Sequence, residues 1–269
     1  MKPLKYTYRL IAVFTDDKTQ AAGNISAVVQ TAEMPTTELM QRIARDLNQP
    51  ATTFLSAPDS AGARNVRWFA PDAEIGLCGH GTAAAAADLC ETHGAGNFNF
   101  KAGDHLLSGE GDPEKRTFEI ELGAIPVEAE LPVPGALSRG LGIKIKAHFS
   151  TGNKNIVLVE SEGALRSMKP EFHLLRTLDY FGYAVTAPGD GNCDFVSRTL
   201  VPHVAQLEDH ATGSSHAALT HFWATRTGKK DMTSKQLSPR GGVFSCSLNG
   251  DAVILGGAYR LIAEGTVEG

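Results

Sequence analysis

The stretch Leu77-Cys78-Gly79-His80-Gly81-Thr82 runs straight into five alanines, Ala83 to Ala87. A Gly-x-Gly turn followed by such small side chains reads as the start of an α-helix with no face meant for solvent, a helix that sits inside its fold. The pattern returns at Thr212-Gly213-Ser214-Ser215-His216-Ala217-Ala218, 134 residues on (212 − 78 = 134). A second landmark, Gly23-Asn24 and Gly152-Asn153, repeats at a separation of 129 residues (152 − 23 = 129). Two separations near half of 269 residues predict two duplicated, pseudo-symmetric domains.

Working outward from the first helix start, Tyr6, Tyr8, Leu10, Ala12 and Phe14 alternate as a half-buried strand requires. A second strand runs from Gly23-Asn24 through Val29. A helix follows, capped by Thr36, with Glu38 in its first turn and Leu39, Met40, Ile43, Ala44 and Leu47 at helical spacing. Strands are expected at Thr52 to Leu55 and Val66 to Phe69, and, beyond the alanine helix, near Asn97 to Lys101, Thr117 to Leu122 and Ile125 to Leu131. Leu131-Pro132-Val133-Pro134-Gly135 reads as a linker. The expected domains are therefore 1–131 and 132–269, with the last strand able to return to the first. In the second half, a strand through Ile156 to Val159 starts at Gly152-Asn153 and a helix lies around Phe172 to Phe181. Strands near Ala184 to Ala187 and Asp194 to Leu200 precede the second small-sided helix, and another spans Val243 to Leu248. The class is α/β, in the α+β sense.

The length suits two modest domains, each burying its own core. Hydrophobic residues at 42% and charged ones at 20% are those of a globular protein and argue against disorder. The formal net charge is −5 and no basic cluster exceeds Lys229-Lys230, so nucleic acid is not an expected partner. The start lacks the apolar core of a signal peptide and no run approaches membrane-spanning length; a cytoplasmic protein with no membrane partner is expected. Cysteines 78, 90, 193 and 246 form no Cys-x-x-Cys pair, which suits reduced thiols.

The chemistry should lie at the two helix starts. A helix's first turn carries unpaired N–H groups and the positive end of the macrodipole, and glycine lets an anion come close to the backbone. Gly79, Gly81 and Thr82 in one repeat, and Thr212, Gly213 and Ser215 in the other, are the candidate substrate-binding positions. Facing one another across a cleft, two such starts would suit a carboxylate and the charge that develops on its neighbouring carbon. Cys78 stands where a thiol is acidified and available as a base, or else is a small buried residue. His80, between glycines, has little packing to do and reads as functional. Asp209 either caps a helix or acts opposite His80, whereas Glu208 reads as solvated. His210, His216 and His221 are spaced six and five residues apart, which does not favour a shared metal, so no metal is assigned. Ser214 and Ser215 lie in no nucleophile elbow. Gln236-x-Ser238-x-Arg240-Gly241-Gly242 lends the substrate a backbone donor or an arginine, or simply turns the chain into the strand from Val243.

Together these residues resemble the phenazine-biosynthesis PhzF-like family, which shares the diaminopimelate epimerase fold. The resemblance is carried by Gly23-Asn24, Gln41 and Ala44 to Asn48, Thr52-Thr53-Phe54, Arg67-Trp68-Phe69-Ala70-Pro71 with Glu74, Cys78-Gly79-His80-Gly81-Thr82, Glu208-Asp209 with Thr212-Gly213-Ser214, and Gln236 to Gly242. It implies two domains, each a β-barrel-like sheet around a central helix, and a homodimer. It also implies chemistry on a small carboxylate-bearing substrate without a cofactor. The family's substrate-contacting positions map onto His80, Asp209 and Ser214, and the first catalytic cysteine of the related epimerases maps onto Cys78. Their second cysteine maps onto Thr212, so a two-thiol racemase mechanism is not implied. In the family's Asn-x-Ser-Glu-Thr-x-Phe pattern this chain reads Asn48-Gln49-Pro50-Ala51-Thr52-Thr53-Phe54, with Ala51 at the site position of the acid/base glutamate. Gly81 stands where alanine or proline is common, Ile25 replaces a proline, and His210 replaces the proline after Asp209. His210 reads as a compensating base or a solvent-exposed loop residue. Three readings of function stay open: an isomerase or lyase moving a proton beside a carboxylate, a binding protein that has lost turnover, and a metal hydrolase.

Overall fold

The computed structural model describes residues 4–269. The chain divides into two units, the residues up to Leu122 together with Gly256–Gly269, and Gly123–Leu255. The division falls ahead of the expected boundary at 131/132. Pro132–Pro134 is no interdomain hinge, because the strand before it pairs with the second unit: His148↔Leu131 and Ser150↔Ala129 are in register.

The first unit carries β1 (Lys5–Thr15), β2 (Asn24–Gln30), α1 (Thr37–Leu47), β3 (Ala51–Pro58), β4 (Arg64–Phe69), β5 (Glu74–Ile75), α2 (Gly79–His93), β6 (Gly96–Ala102), β7 (His105–Asp112) and β8 (Thr117–Gly123). Pairing runs antiparallel from β1 to β2, parallel to β3, antiparallel to β4, parallel to β6, then antiparallel through β7 to β8. α1 begins as expected, the Thr36 hydroxyl accepting from Leu39 N–H. Its apolar stripe, Met40, Ile43 and Ala44, covers Val29, Phe54 and Phe69. α2 packs against β1, β2, β3, β6 and β7, with Ala83 to Ala87 fully buried. Larger side chains would not fit there. A β-carbon on Gly111 of β7 would lie 2.6 Å from Cys90 Sγ and 3.2 Å from Ala86 O. That close approach explains why β7 has no strand-like sequence pattern: its glycines serve packing against α2, not strand propensity.

The second unit repeats the order with β9 (Val127–Leu131), α3 (Gly135–Leu141), β10 (Ile145–Thr151), β11 (Asn155–Val159), α4 (Glu162–Ser167), α5 (Phe172–Leu175), β12 (Tyr183–Pro188), β13 (Phe195–Leu200), β14 (Glu208–Asp209), α6 (Gly213–Thr227), β15 (Asp231–Gln236) and β16 (Gly242–Asn249). From β10 the pairing is again antiparallel to β11, parallel to β12, antiparallel to β13, parallel to β15 and antiparallel to β16. Both two-residue strands, β5 and β14, sit on the strand before them and deliver the chain to a helix start. Duplicated topology is thus visible within each unit. The counterpart of Asn24, which opens β2, is Asn155, which opens β11; Gly152 and Asn153 lie in the preceding bend. The helix expected around Phe172 to Phe181 is a single turn, α5, and helical packing comes instead from α3 and α4, whose Leu137, Leu141 and Leu165 join the core of β11 to β13.

The last strand, β17 (Ala252–Glu268), belongs to both units. Its later residues pair antiparallel with β1, from Thr15↔Ala258 to Lys5↔Glu268, and it also pairs with β8. The ring of pairings closes the first unit as an eight-stranded barrel around α2.

Candidate active site

At the first helix start, Cys78 is the N-cap in extended backbone, and its Sγ accepts from Gly81 N–H at 3.4 Å. The same sulfur lies 3.4 Å from His80 Nδ1. Both side chains are nearly buried, 5% and 8% exposed, so thiol and imidazole share one poorly solvated turn. Such a pair can pass a proton between them. Thr82 sits deeper: its N–H and its hydroxyl both donate to Cys78 O at 2.9 Å. A β-carbon on Gly81 would meet Trp68 Cδ1 at 2.4 Å and Thr53 Oγ1 at 2.8 Å, so the indole needs a glycine here. Ala51 opens β3 two residues before Thr53, on the same strand face. Ser26 Oγ ties the two positions together, lying 3.1 Å from Ala51 O and 2.8 Å from Thr53 Oγ1.

At the second start, Thr212 occupies the N-cap without capping through its side chain. Its hydroxyl donates to Asp209 Oδ2 at 2.7 Å, and Asp209 Oδ1 accepts from His210 N–H at 2.9 Å. Asp209 therefore orders the loop into α6 without being the cap itself. Ser214 Oγ accepts from Lys154 Nζ at 3.0 Å. Ser215 is buried, its hydroxyl accepting from Thr199 Oγ1 at 3.0 Å. Within each unit, then, the residues singled out from the sequence gather at one helix start: Cys78, Gly79, His80 and Gly81 at α2, and Asp209, Thr212, Gly213 and Ser214 at α6.

The PhzC-PhzF family model, described as phenazine biosynthesis-like protein, matches residues 11–251. The chain belongs to the PhzC-PhzF family. Among its relatives are two Pseudomonas aeruginosa proteins named as uncharacterized isomerases. One is 34% identical over 91% of this chain and 93% of the relative, the other 32% identical over 98% and 99%. The crystal structure of a PhzF-family phenazine biosynthesis protein from Enterococcus faecalis superposes with a TM-score of 0.88, at 29% identity, over 98% of this chain and 99% of that one. PhzC-PhzF membership and these names make the chain an isomerase-like protein of the diaminopimelate epimerase-like fold.

Several contacts around the helix starts of this PhzC-PhzF protein are not announced by the local sequence. Glu208 is not solvated: Arg198 grips it in a fork, Nε to Oε1 and Nη2 to Oε2 both at 2.8 Å. The first unit has the same fork between Arg67 and Glu74, at 2.7 and 2.6 Å. In each, an arginine on the longer strand holds the two-residue strand that leads to a helix start. Gln236, at the end of β15, does more than begin a turn. Its Oε1 accepts from Thr212 N–H at 2.9 Å and its Nε2 donates to Asp209 O at 2.6 Å, clamping the loop ahead of α6. His210 is half-buried rather than in solvent. Burial pushes its imidazole below the usual histidine range against the pull of Asp209, and Arg240 adds to the lowering. His216 is enclosed, its Nδ1 2.9 Å from Thr212 O and its ring stacked 3.6 Å from that of Phe244. Among the described residues no three His, Cys, Asp or Glu side chains are grouped to hold a metal ion, and no helix is long and apolar enough to cross a membrane.

Proposed function

We propose that this protein is a cofactor-independent isomerase that moves a proton on the carbon beside the carboxylate of a small acid, with Cys78 and His80 at the start of α2 handling the proton. The observation that carries this reading is the Cys78–His80 contact of 3.4 Å at the first turn of α2. It joins a proton-carrying pair to the positive end of a helix dipole, where a carboxylate and a developing carbanion are both favoured. Asp209 and Ser214, at the start of α6, are proposed as substrate-contacting residues on the strength of the family resemblance. Alanine at position 51 removes the carboxylate that the family pattern places there, so the proton falls to groups this chain does possess. Action as a homodimer belongs to the same reading, and light scattering of the purified protein measures it.

Incubation of the protein in deuterated water with a panel of amino and hydroxy acids tests the proposal. Deuterium should enter beside the carboxylate of at least one acid, and Cys78→Ser and Asp209→Ala should each lower the rate by about 10²–10⁴. Absence of exchange across the panel, or variants that exchange like the parent, would overturn it.

Ala51 favours one second reading, a small-carboxylate-binding protein without turnover. Carboxylate binding with no exchange, unchanged in Ala51→Glu, supports that reading. Exchange gained on Ala51→Glu marks a site whose acid/base group has been lost.

A further inference from the structure

Between Thr82 and Leu89, α2 offers its barrel five alanines and one charged side chain, Asp88. Ala83 to Ala87 are fully buried, and Asp88 is 2% exposed. A step of one residue moves a helix about 1.5 Å along its axis and turns it about 100°, and along this stretch it would still present alanine to the strands. The alanines alone fix neither the depth of the helix nor its rotation.

Asp88 breaks that equivalence. Its Oδ1 accepts from Arg9 Nη1 of β1 at 3.0 Å and its Oδ2 from Gln30 Nε2 of β2 at 2.6 Å. Arg9 Nη1 also donates to Thr92 Oγ1 at 2.7 Å, one helical turn on, and Arg9 Nε lies 3.6 Å from Glu264 Oε2 of β17. Tyr259 of β17 donates to Glu91 Oε1 at 2.7 Å. The later turns of α2 are thus fastened to three strands of one unit. In any other register the Asp88 carboxylate would leave Arg9 and Gln30, and an unpaired charge in a dry interior is strongly unfavourable. A buried ion pair adds little to stability over apolar residues of its size; what it supplies is one permitted arrangement.

Cys78 and His80 stand at the other end of the same helix, ten residues before Asp88 (88 − 78 = 10), about 15 Å along the axis. There the fit is close: Gly81 O accepts from Thr53 Oγ1 at 3.3 Å, and the Trp68 indole leaves no room for a β-carbon on Gly81. A displaced helix would lose both contacts and carry Cys78 and His80 with it.

We propose that Asp88, held by Arg9 and Gln30, is a positioning residue for the reacting turn of the first unit: it sets the depth and rotation of α2 and, through the helix, the place of Cys78 and His80 against Thr53 and Trp68. This rests on the reading of Cys78 and His80 as the proton-handling pair.

The two tryptophans report on it, because Trp68 lies in the first unit and Trp223 in the second. In the ¹H–¹⁵N spectrum of the full chain without substrate, Asp88→Asn, Arg9→Met and Gln30→Met should each move the Trp68 indole N–H signal and leave that of Trp223 in place. Arg9 meets Asp88 through a single nitrogen, so Arg9→Lys should keep the parent's Trp68 signal. With an acid that exchanges deuterium, Asp88→Asn should lower kcat on the order of 10²-fold, as for a misplaced reacting group, with KM changed by less than about threefold. A Trp68 signal that stays at the parent's position in folded Asp88→Asn and Arg9→Met overturns the proposal. Should the ion-pair variants fail to fold, Gln30→Met, which keeps the pair, decides on the same signal. An unchanged kcat beside a shifted Trp68 signal overturns the positioning role and leaves the Cys78–His80 reading standing, whereas a parent that exchanges no acid overturns the reading itself.

Discussion

The indole of Trp68 occupies the space that a side chain at position 81 would need: a β-carbon on Gly81 would lie 2.4 Å from its Cδ1. Trp68 is itself fully buried, so it has little room to retreat. Gly81→Ala should therefore destabilise the protein by about 1–3 kcal/mol through overpacking. Calorimetry would show a lowered Tm, recovered in part by adding Trp68→Phe. An unchanged Tm in Gly81→Ala would mean that the indole moves freely.

The two arginine–glutamate forks should differ in energetic weight. Arg198 and Glu208 side chains are 12% and 14% exposed, Arg67 and Glu74 side chains 31% and 42%. Glu208→Gln leaves a guanidinium half-matched in a desolvated place and should cost about 2–3 kcal/mol. Glu74→Gln, in solvent reach, should cost less than about 1 kcal/mol. Urea unfolding of the two variants measures the difference, and equal costs would contradict it.

Gln236 serves two backbone groups of one loop. Gln236→Met should leave Thr212 N–H and Asp209 O without their partner, at a cost of roughly 2 kcal/mol. Hydrogen exchange reads the effect locally: the Thr212 amide should lose protection while amides in α2 keep theirs.

Burial lowers the pKa of His216 from 6.5 to about 4. The unfolded chain then takes up a proton near pH 6.5 that the folded chain refuses until about 4. The stability tied to this residue is complete above pH 6.5 and falls away as the pH drops toward 4, by roughly 3 kcal/mol. His148 and His210, also lowered by burial, act in the same direction. His216→Phe should flatten this part of the stability–pH curve, and a curve identical to the parent's would refute the assignment.

What was legible in the sequence lies in patterns that declare themselves locally. The starts of α2 and α6 show because glycine and a run of alanines carry both helix position and burial, and α1 shows through its Thr36 cap and its stripe. β7 was hidden because Gly109 and Gly111 answer to the helix beneath them. α3 and α4 are too short for a periodicity, although Ser161, whose hydroxyl accepts from Ala164 N–H, was a readable cap. At the helix starts, Cys78, His80 and Ser214 drew notice as candidates beside glycines, and Asp209 by its place ahead of Thr212-Gly213. The contacts of Gln236, named only as part of a motif, and of Lys154, not named at all, were hidden because each acts on a loop or helix 24 to 60 residues away in the chain through a single side chain. The repeated fork, Arg67 with Glu74 and Arg198 with Glu208, was present in the sequence but became recognisable only through the matching strand pairs.

The division of β17 bears on how the protein is made. Residues 256–269, which close the seam between β1 and β8, are translated after the whole of the second unit, so the first barrel is discontinuous in the chain. The strands around Cys78 and His80 are translated early but cannot seal as a barrel until the last strand has been made.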